Sequence, residues 1–126
     1  MATLDDVRRI ASRLPGATEG DGEQFGFSVQ VKGKWKGFLW SWRERVDPKK
    51  PKVVNRDVLA ILVPGEAAKQ AILASDSDKY FTEPHYNGFP AVLVRLAAVD
   101  ASELEDLVVE AWRCKASKEL LEQLGS

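Results

Sequence analysis

The segment Phe25-Gly-Phe-Ser-Val-Gln-Val-Lys-Gly-Lys-Trp-Lys-Gly-Phe-Leu-Trp-Ser-Trp42 carries the strongest structural signal in the chain. In its first half, apolar and polar residues alternate with a period of two, as in a strand with one buried face. The apolar positions are Phe25, Phe27, Val29 and Val31. Gly33, with a lysine on each side, suits a tight turn between two strands. The segment therefore predicts an antiparallel hairpin over residues 25–42.

Two different turns of this hairpin lead to the same assignment of faces. Whether Lys32-Gly33 or Gly33-Lys34 forms the two-residue loop, odd positions of the first strand share a face with even positions of the second. The predicted buried face carries Phe25, Phe27, Val29, Val31, Phe38, Trp40 and Trp42. Trp35 and Leu39 fall on the opposite face, and Lys34 and Lys36 fall on the core side, near the turn and beyond the edge of the core.

The elements on either side of the hairpin predict an α+β fold. Residues 3–14 form an amphipathic helix that Thr3 caps, and Asp100 to Glu103 form a capping box before a helix over 101–113. Further elements are a loop or short edge strand (17–24), a long basic loop or second, looser hairpin tip (43–57), a buried strand (58–63), a helix beginning at Pro64-Gly65-Glu66, a strand (91–96) and a C-terminal helix (117–124). Strands and helices do not alternate regularly, so we predict an antiparallel sheet with helices on one face. The 3–14 and 101–113 helices are expected to pack together.

Composition excludes several classes of protein. The 126 residues are 44% hydrophobic and 29% charged, which suits a single globular domain over residues 1–126. No apolar run approaches the length of a membrane span, and no basic region followed by an apolar stretch opens the chain. With one cysteine no internal disulfide can form, so we expect a cytoplasmic protein.

The residues that carry most enzyme chemistry are scarce. One cysteine and one histidine cannot build a structural zinc site, and the sequence has no glycine-rich phosphate loop, no nucleophile elbow and no paired carboxylates with a recognisable role. Cys114 lies in a helical pattern, so a buried or unreactive thiol is a better interpretation than a nucleophilic pair with His85. We therefore expect a protein that is not an enzyme and needs no metal or cofactor.

Charge is unevenly distributed along the chain. The net charge is −1, but residues 30–56 hold nine basic and two acidic residues, a local net charge of +7. Such a segment attracts phosphate, although lysines on an edge strand also prevent edge-to-edge pairing. With Trp35 as a stacking group, the candidate nucleic-acid-binding residues are Lys32, Lys34, Trp35, Lys36, Arg43, Arg45, Lys49, Lys50 and Lys52. The predicted interaction is weak, independent of sequence and made by a hairpin wing.

Several motifs, in order, resemble one known family. They are Leu14-Pro-Gly16, Phe27-Ser-Val-Gln-Val-Lys-Gly-Lys-Trp35, Val63-Pro-Gly-Glu-Ala67, Pro84-His-Tyr-Asn-Gly-Phe-Pro-Ala-Val-Leu-Val-Arg-Leu96 and Glu110-Ala-Trp112. Together these motifs span nearly the whole chain, which resembles the MmcQ/YjbR family of small bacterial proteins. The resemblance implies a fold like that of bacterial frataxin and a double-wing arrangement that is described as DNA-binding. Frataxin-like iron binding is not expected, because Asp5 and Asp6 share their helix with Arg8, Arg9 and Arg13.

Two other functions remain open from the sequence. His85, Tyr86 and Asn87, within the aromatic stretch Phe81–Phe89, are candidates to line a small-ligand pocket. A structural turn in which a hydrogen bond holds His85 is the plainer interpretation of the same stretch. Alternatively, Trp112 and the leucines of 117–124 offer an apolar surface to a partner protein, although core packing explains them more simply. We expect a monomer or a weak homodimer.

Overall fold

The computed structural model describes residues 2–20, 25–44, 49, 53–86 and 88–125. The elements of the described chain follow in order. They are α1 (Leu4–Ala11), β1 (Thr18–Glu19), β2 (Gly26–Val31), β3 (Lys34–Glu44), β4 (Val53–Leu62), α2 (Glu66–Ser75), β5 (Tyr80–Phe81), a 3-10 turn (Pro84–Tyr86), β6 (Ala91–Arg95), a second 3-10 turn (Leu96–Ala98), α3 (Ala101–Arg113) and α4 (Lys118–Gly125). This order confirms the predicted α+β fold.

The strands form one antiparallel sheet in the order β1-β2-β3-β4-β6-β5. The predicted hairpin is the β2–β3 pair, and the short edge strand predicted within 17–24 is β1. Strands β3 and β4 pair from Leu39 with Ile61 to Glu44 with Val53, so residues 43–44 and 53–57 are strand residues of a second hairpin, one of the two predicted alternatives. The apolar run 58–63 is part of β4, which begins earlier, at Val53. Helix α2 begins after Gly65, so Pro64 precedes it.

The helices cover one face of the sheet. Helix α1 packs against α3, and α3 packs against β3 and β4, which confirms the predicted pairing of the two helices. Both predicted caps form: the Thr3 and Asp100 side chains each accept a hydrogen bond from the backbone three residues later. Trp112 of α3 is fully buried, and its indole Nε1 donates to the Pro15 carbonyl oxygen at 3.0 Å. Trp112 is therefore a core residue and not a surface for a partner.

The predicted faces of β3 are wrong beyond the hairpin tip. Phe27 lies opposite Leu39 while Ser28 lies opposite Gly37, so Phe38 is an extra residue, a β-bulge. The bulge shifts the alternation by one residue, because two residues of β3 face one position of β2. Leu39 therefore lies in the core under the helices with Phe38. Trp40 and Trp42 lie on the open face, opposite to the prediction.

The open face carries a smaller apolar cluster of its own. Val58, Ala60 and Leu93 form its buried part, and partly buried aromatic residues pack on it: Trp40, Trp42, Phe81 and Tyr86. One side chain of α2, Lys69, contacts the backbone of the segment that carries Tyr86. Lys69 is 2% exposed, and its Nζ donates to the carbonyl oxygens of Tyr86 and Phe89. In the described part of the chain, no helix has the length and apolar character to cross a membrane.

Candidate nucleic-acid interface

The β2–β3 tip extends beyond its neighbours in the sheet. Lys32 and Gly33 form the turn with positive φ angles of 54° and 79°, so the Val31–Lys34 pair closes the hairpin, as one of the two predicted turns required. The positive φ values are those of a tight hairpin turn that matches strand twist. Strand β1 pairs only with Phe27 and Ser28, and β4 pairs with β3 only from Leu39 onward. Residues 29–36 are therefore a two-stranded ribbon whose base, at Val29 and Val31, packs on the core and whose tip, residues 32–36, is exposed.

The ribbon presents cations and one large aromatic ring to solvent. Lys32, Lys34 and Lys36 are exposed, and Trp35 between them is 58% exposed. Within the described residues these three lysines form no ion pair. Lys34 and Lys36 lie on the helix-side face, opposite Val31 and Val29, as predicted. Trp35 lies on the other face, so the tip offers positive charge on one side and a ring on the other.

The structure places only some of the other predicted binding residues. Arg43 lies in β3 opposite Val54, at the far end of the strand from the ribbon. Lys49 is exposed. The side chain of Arg43, and the residues Arg45, Lys50 and Lys52, lie outside the described part of the chain. The structure thus brings together Lys32, Lys34, Trp35 and Lys36, and leaves the contribution of the second hairpin a prediction.

An aromatic surface on the open face was not predicted. Because the bulge reverses the alternation, Trp35, Trp40 and Trp42 all lie on the same face of β3. Trp42 meets Phe81 edge to face at 5.6 Å between ring centroids, and the Arg95 guanidinium lies 4.1 Å above the Phe81 ring. Phe89, near Trp40, is exposed. The many aromatic residues of 80–89 were the sequence signal for this surface, but they did not show on which face of the sheet their rings lie.

The alternative ligand residues are partly placed. Tyr86 ends a 3-10 turn, and its hydroxyl accepts a hydrogen bond from Trp40 Nε1 at 3.1 Å. The Lys69 contacts to this segment, which sequence reasoning missed, fix the backbone on either side of Gly88. Asn87 and the side chain of His85 lie outside the described residues, so the predicted His85 hydrogen bond stays a prediction. Tyr86 and Phe89 are thus held by side chains from β3 and α2.

The acidic residues of α1 are paired within the protein. Arg8 binds Asp5 and Glu19, with its Nε 2.7 Å from Glu19 Oε1, and Arg9 binds Asp6. The Thr3 backbone N–H donates to Asp6, and this hydrogen bond is the largest cause that lowers the pKa of its carboxyl. Among the described residues, no group of three or more His, Cys, Asp or Glu side chains suits a metal ion.

The cysteine is not activated. Cys114 caps α3, and its Sγ donates to the Glu110 carbonyl oxygen at 3.3 Å. Burial is the largest cause that raises the pKa of its thiol, so the group is neutral at pH 7. Its environment agrees with the predicted unreactive thiol.

This chain is similar in sequence to uncharacterized mycobacterial proteins and in fold to a solved structure. No protein-family model matches the chain. The fold is similar to the crystal structure of Deinococcus radiodurans protein DR2400, a DUF419 domain, with a TM-score of 0.67 and 22% identity over 99% of this chain and 89% of that one. The chain is also 35% identical over 122 residues to uncharacterized proteins Mb2600 of Mycobacterium bovis and Rv2570 of Mycobacterium tuberculosis, covering 97% of this chain and 95% of theirs. The chain therefore belongs to the same protein family as Rv2570 and Mb2600.

Proposed function

We propose that this protein is a cytoplasmic member of the MmcQ/YjbR family that binds nucleic acid weakly and without sequence preference through the β2–β3 tip. The resemblance in its motifs and the DUF419 fold of DR2400 support the family assignment. The observation that carries the function is the projecting ribbon, with the exposed Trp35 ring flanked by Lys34 and Lys36. It supplies the two elements that sequence-independent binding needs, cations for phosphate and a ring for a base.

The shape of the ribbon suits a groove or a single strand. A two-stranded ribbon fits the major groove of duplex DNA, where lysines on one face and at the turn can reach phosphates. The opposite face presents Trp35, a ring on which an unpaired base can stack. Because the rest of the chain carries a net charge of −8, attraction to phosphate is confined to the basic segment and orients the protein.

Removing the three tip lysines is expected to abolish most of the salt dependence of binding. Four phosphate contacts give a slope of about −3.6 in a plot of log K against log salt concentration for duplex DNA. The Lys32→Ala, Lys34→Ala, Lys36→Ala triple variant should flatten that slope by about 2.7 units. Fluorescence anisotropy with labelled random-sequence duplex, between about 20 and 200 mM salt, measures both slopes.

A control with the same change in charge tests whether position matters. Arg13, Arg113 and Lys118 are exposed, lie at or near the ends of helices and are not part of the ribbon, and replacing all three with alanine also removes three positive charges. This control should retain nearly the full slope. Equal flattening of the slope by both triple variants would show a general effect of charge and contradict binding by the tip. The absence of binding at low salt would also contradict the proposal, and would mean that the tip lysines serve solubility alone.

Trp35 is expected to matter most for single strands. Trp35→Ala should weaken binding of a single-stranded oligonucleotide by about 1–3 kcal/mol if a base stacks on the ring. Trp35→Phe retains an aromatic face and should restore much of that affinity. Titrations with single-stranded and duplex DNA of equal length measure the difference, and an equal loss on both would argue against stacking.

A further inference from the structure

We propose that a cleft beside the ribbon binds a small ligand with a flat apolar ring and one anionic group. The cleft has a volume of about 770 Å³, within the range of small-molecule sites. It lies where β3 separates from β4, because β4 ends at Leu62 while β3 continues toward the tip through Gly37 and Lys36. This site goes beyond the proposed nucleic-acid binding: it shares Lys36 with the ribbon, and its second cation, Lys115, lies outside the ribbon.

The walls of the cleft are largely apolar. Trp40 and Phe89 contribute two rings whose centroids are 6.3 Å apart at an interplanar angle of 66°. Leu62, Val63 and Pro64, at the end of β4, form another part of the wall. Aromatic and aliphatic walls of this kind favour an apolar body, since burial removes its surface from water. Rings set at an angle favour a flat guest, which can lie against one face and meet the other ring at its edge.

In the described chain, the charged side chains that line the cleft are both positive. Lys36 of β3 and Lys115, just after α3, both line it, and both are exposed to solvent. Neither lysine forms an ion pair with any residue that the structure describes, and none of the described residues that line the cleft is acidic. Cys114, the remaining neighbour of Lys115 in the lining, carries no charge at pH 7 because burial raises the pKa of its thiol. Two unpaired ammonium groups at an apolar cleft fit an anionic group at one end of the ligand.

The cleft is held in shape without a ligand. The Val63 backbone N–H donates to the Pro90 carbonyl oxygen at 2.9 Å, joining the end of β4 to the start of β6. Lys69 Nζ donates to the Phe89 carbonyl oxygen at 2.9 Å, and Trp40 Nε1 donates to the Tyr86 hydroxyl. These contacts hold the Trp40 ring and the Phe89 backbone in place, so little backbone ordering remains to oppose binding.

A matched pair of probes tests the two halves of the ligand. 1-Anilinonaphthalene-8-sulfonate has an apolar ring body and a sulfonate, and N-phenyl-1-naphthylamine has the same body without the charge. We expect the sulfonate to bind to the native protein more tightly than the neutral compound. Amide NMR shifts should move at Lys36, Gly37, Gly65 and Lys115, and Trp40 fluorescence should change on binding.

Charge-removing variants then locate the anionic end. Lys115→Gln should raise the Kd of the sulfonate about three- to fivefold and leave that of the neutral probe unchanged. Lys118→Gln, three residues away on α4 and outside the cleft, is the matched control and should change neither Kd. Equal Kd values for the two probes, equal effects of both variants, or shift changes elsewhere would overturn the proposal. Because Lys115 lies outside the ribbon, Lys115→Gln should leave the DNA salt slope unchanged, so the two proposals can fail separately.

Discussion

Replacing Trp112 with alanine is expected to reduce the free energy of unfolding by about 3–5 kcal/mol. The side chain is fully buried between α3 and the sheet, and its removal leaves a cavity that the surrounding core can only partly fill. The substitution also leaves the Pro15 carbonyl oxygen without the hydrogen bond from the indole Nε1. Urea unfolding followed by circular dichroism measures the change.

Trp35→Ala is the matched control for this prediction. It removes the same side chain from a position that is 58% exposed, so the expected change in unfolding free energy is within about 0.5 kcal/mol. Trp112→Phe is expected to be intermediate, because it retains one aromatic ring in the core but removes the indole donor and the volume of the second ring. A Trp112→Ala protein as stable as the Trp35→Ala protein would contradict the position of α3 on the sheet.

Lys69→Met is expected to reduce the free energy of unfolding by about 2–4 kcal/mol. Methionine keeps most of the length of the buried stem but removes the donor to the carbonyl oxygens of Tyr86 and Phe89. Each carbonyl oxygen then keeps only its backbone N–H donor and loses a hydrogen bond from a charged group, which contributes about 1.5–3 kcal/mol. The removal of a buried charge offsets part of this loss. Thermal or urea unfolding gives the total loss.

Hydrogen exchange shows whether the loss is local to the segment that Lys69 holds. The Phe89 and Ala91 backbone amides donate within this segment, to Tyr86 and Phe89, and should exchange faster in Lys69→Met. Lys118→Met, at an exposed helical position, should leave both stability and exchange unchanged within error. Unchanged stability of Lys69→Met would mean that the two lysine hydrogen bonds make no net contribution to folding, and would contradict this prediction.

Local signals in the sequence were sufficient for most elements. The caps at Thr3 and Asp100 form as predicted, because a cap depends on residues three positions apart. The turn at Lys32-Gly33 follows from the same kind of short-range chemistry. The ribbon residues Lys32 to Lys36 were therefore identifiable as one candidate site from the amino-acid sequence alone.

Trp40 and Trp42 were predicted on the wrong face of the sheet, because a pattern of period two does not show where a bulge interrupts it. Phe38 and Leu39 are both apolar and both buried, so either could have continued the alternation. Which of them is the extra residue depends on the register with β2, and that register is set by packing against the helices. The cleft was missed for a related reason, since its lining comes from β3, the end of β4, the 89–90 segment and the end of α3. Nothing in the chain marks these segments as neighbours.

The bulge at Phe38 also divides the β2–β3 hairpin into a part that belongs to the sheet and a tip whose length can change separately. On one side of the bulge β2 and β3 pair with other strands of the sheet; on the tip side, from Val29 to Lys36, they pair with each other alone in the described chain, and only Val29 and Val31 pack on the core. Two residues added to each strand on the tip side of the bulge would lengthen the ribbon by about 7 Å and restore the same facing of the turn. The reach of the tip can therefore be tuned in discrete steps while the domain beneath it keeps its packing, which makes this hairpin a natural place to graft new binding sequences.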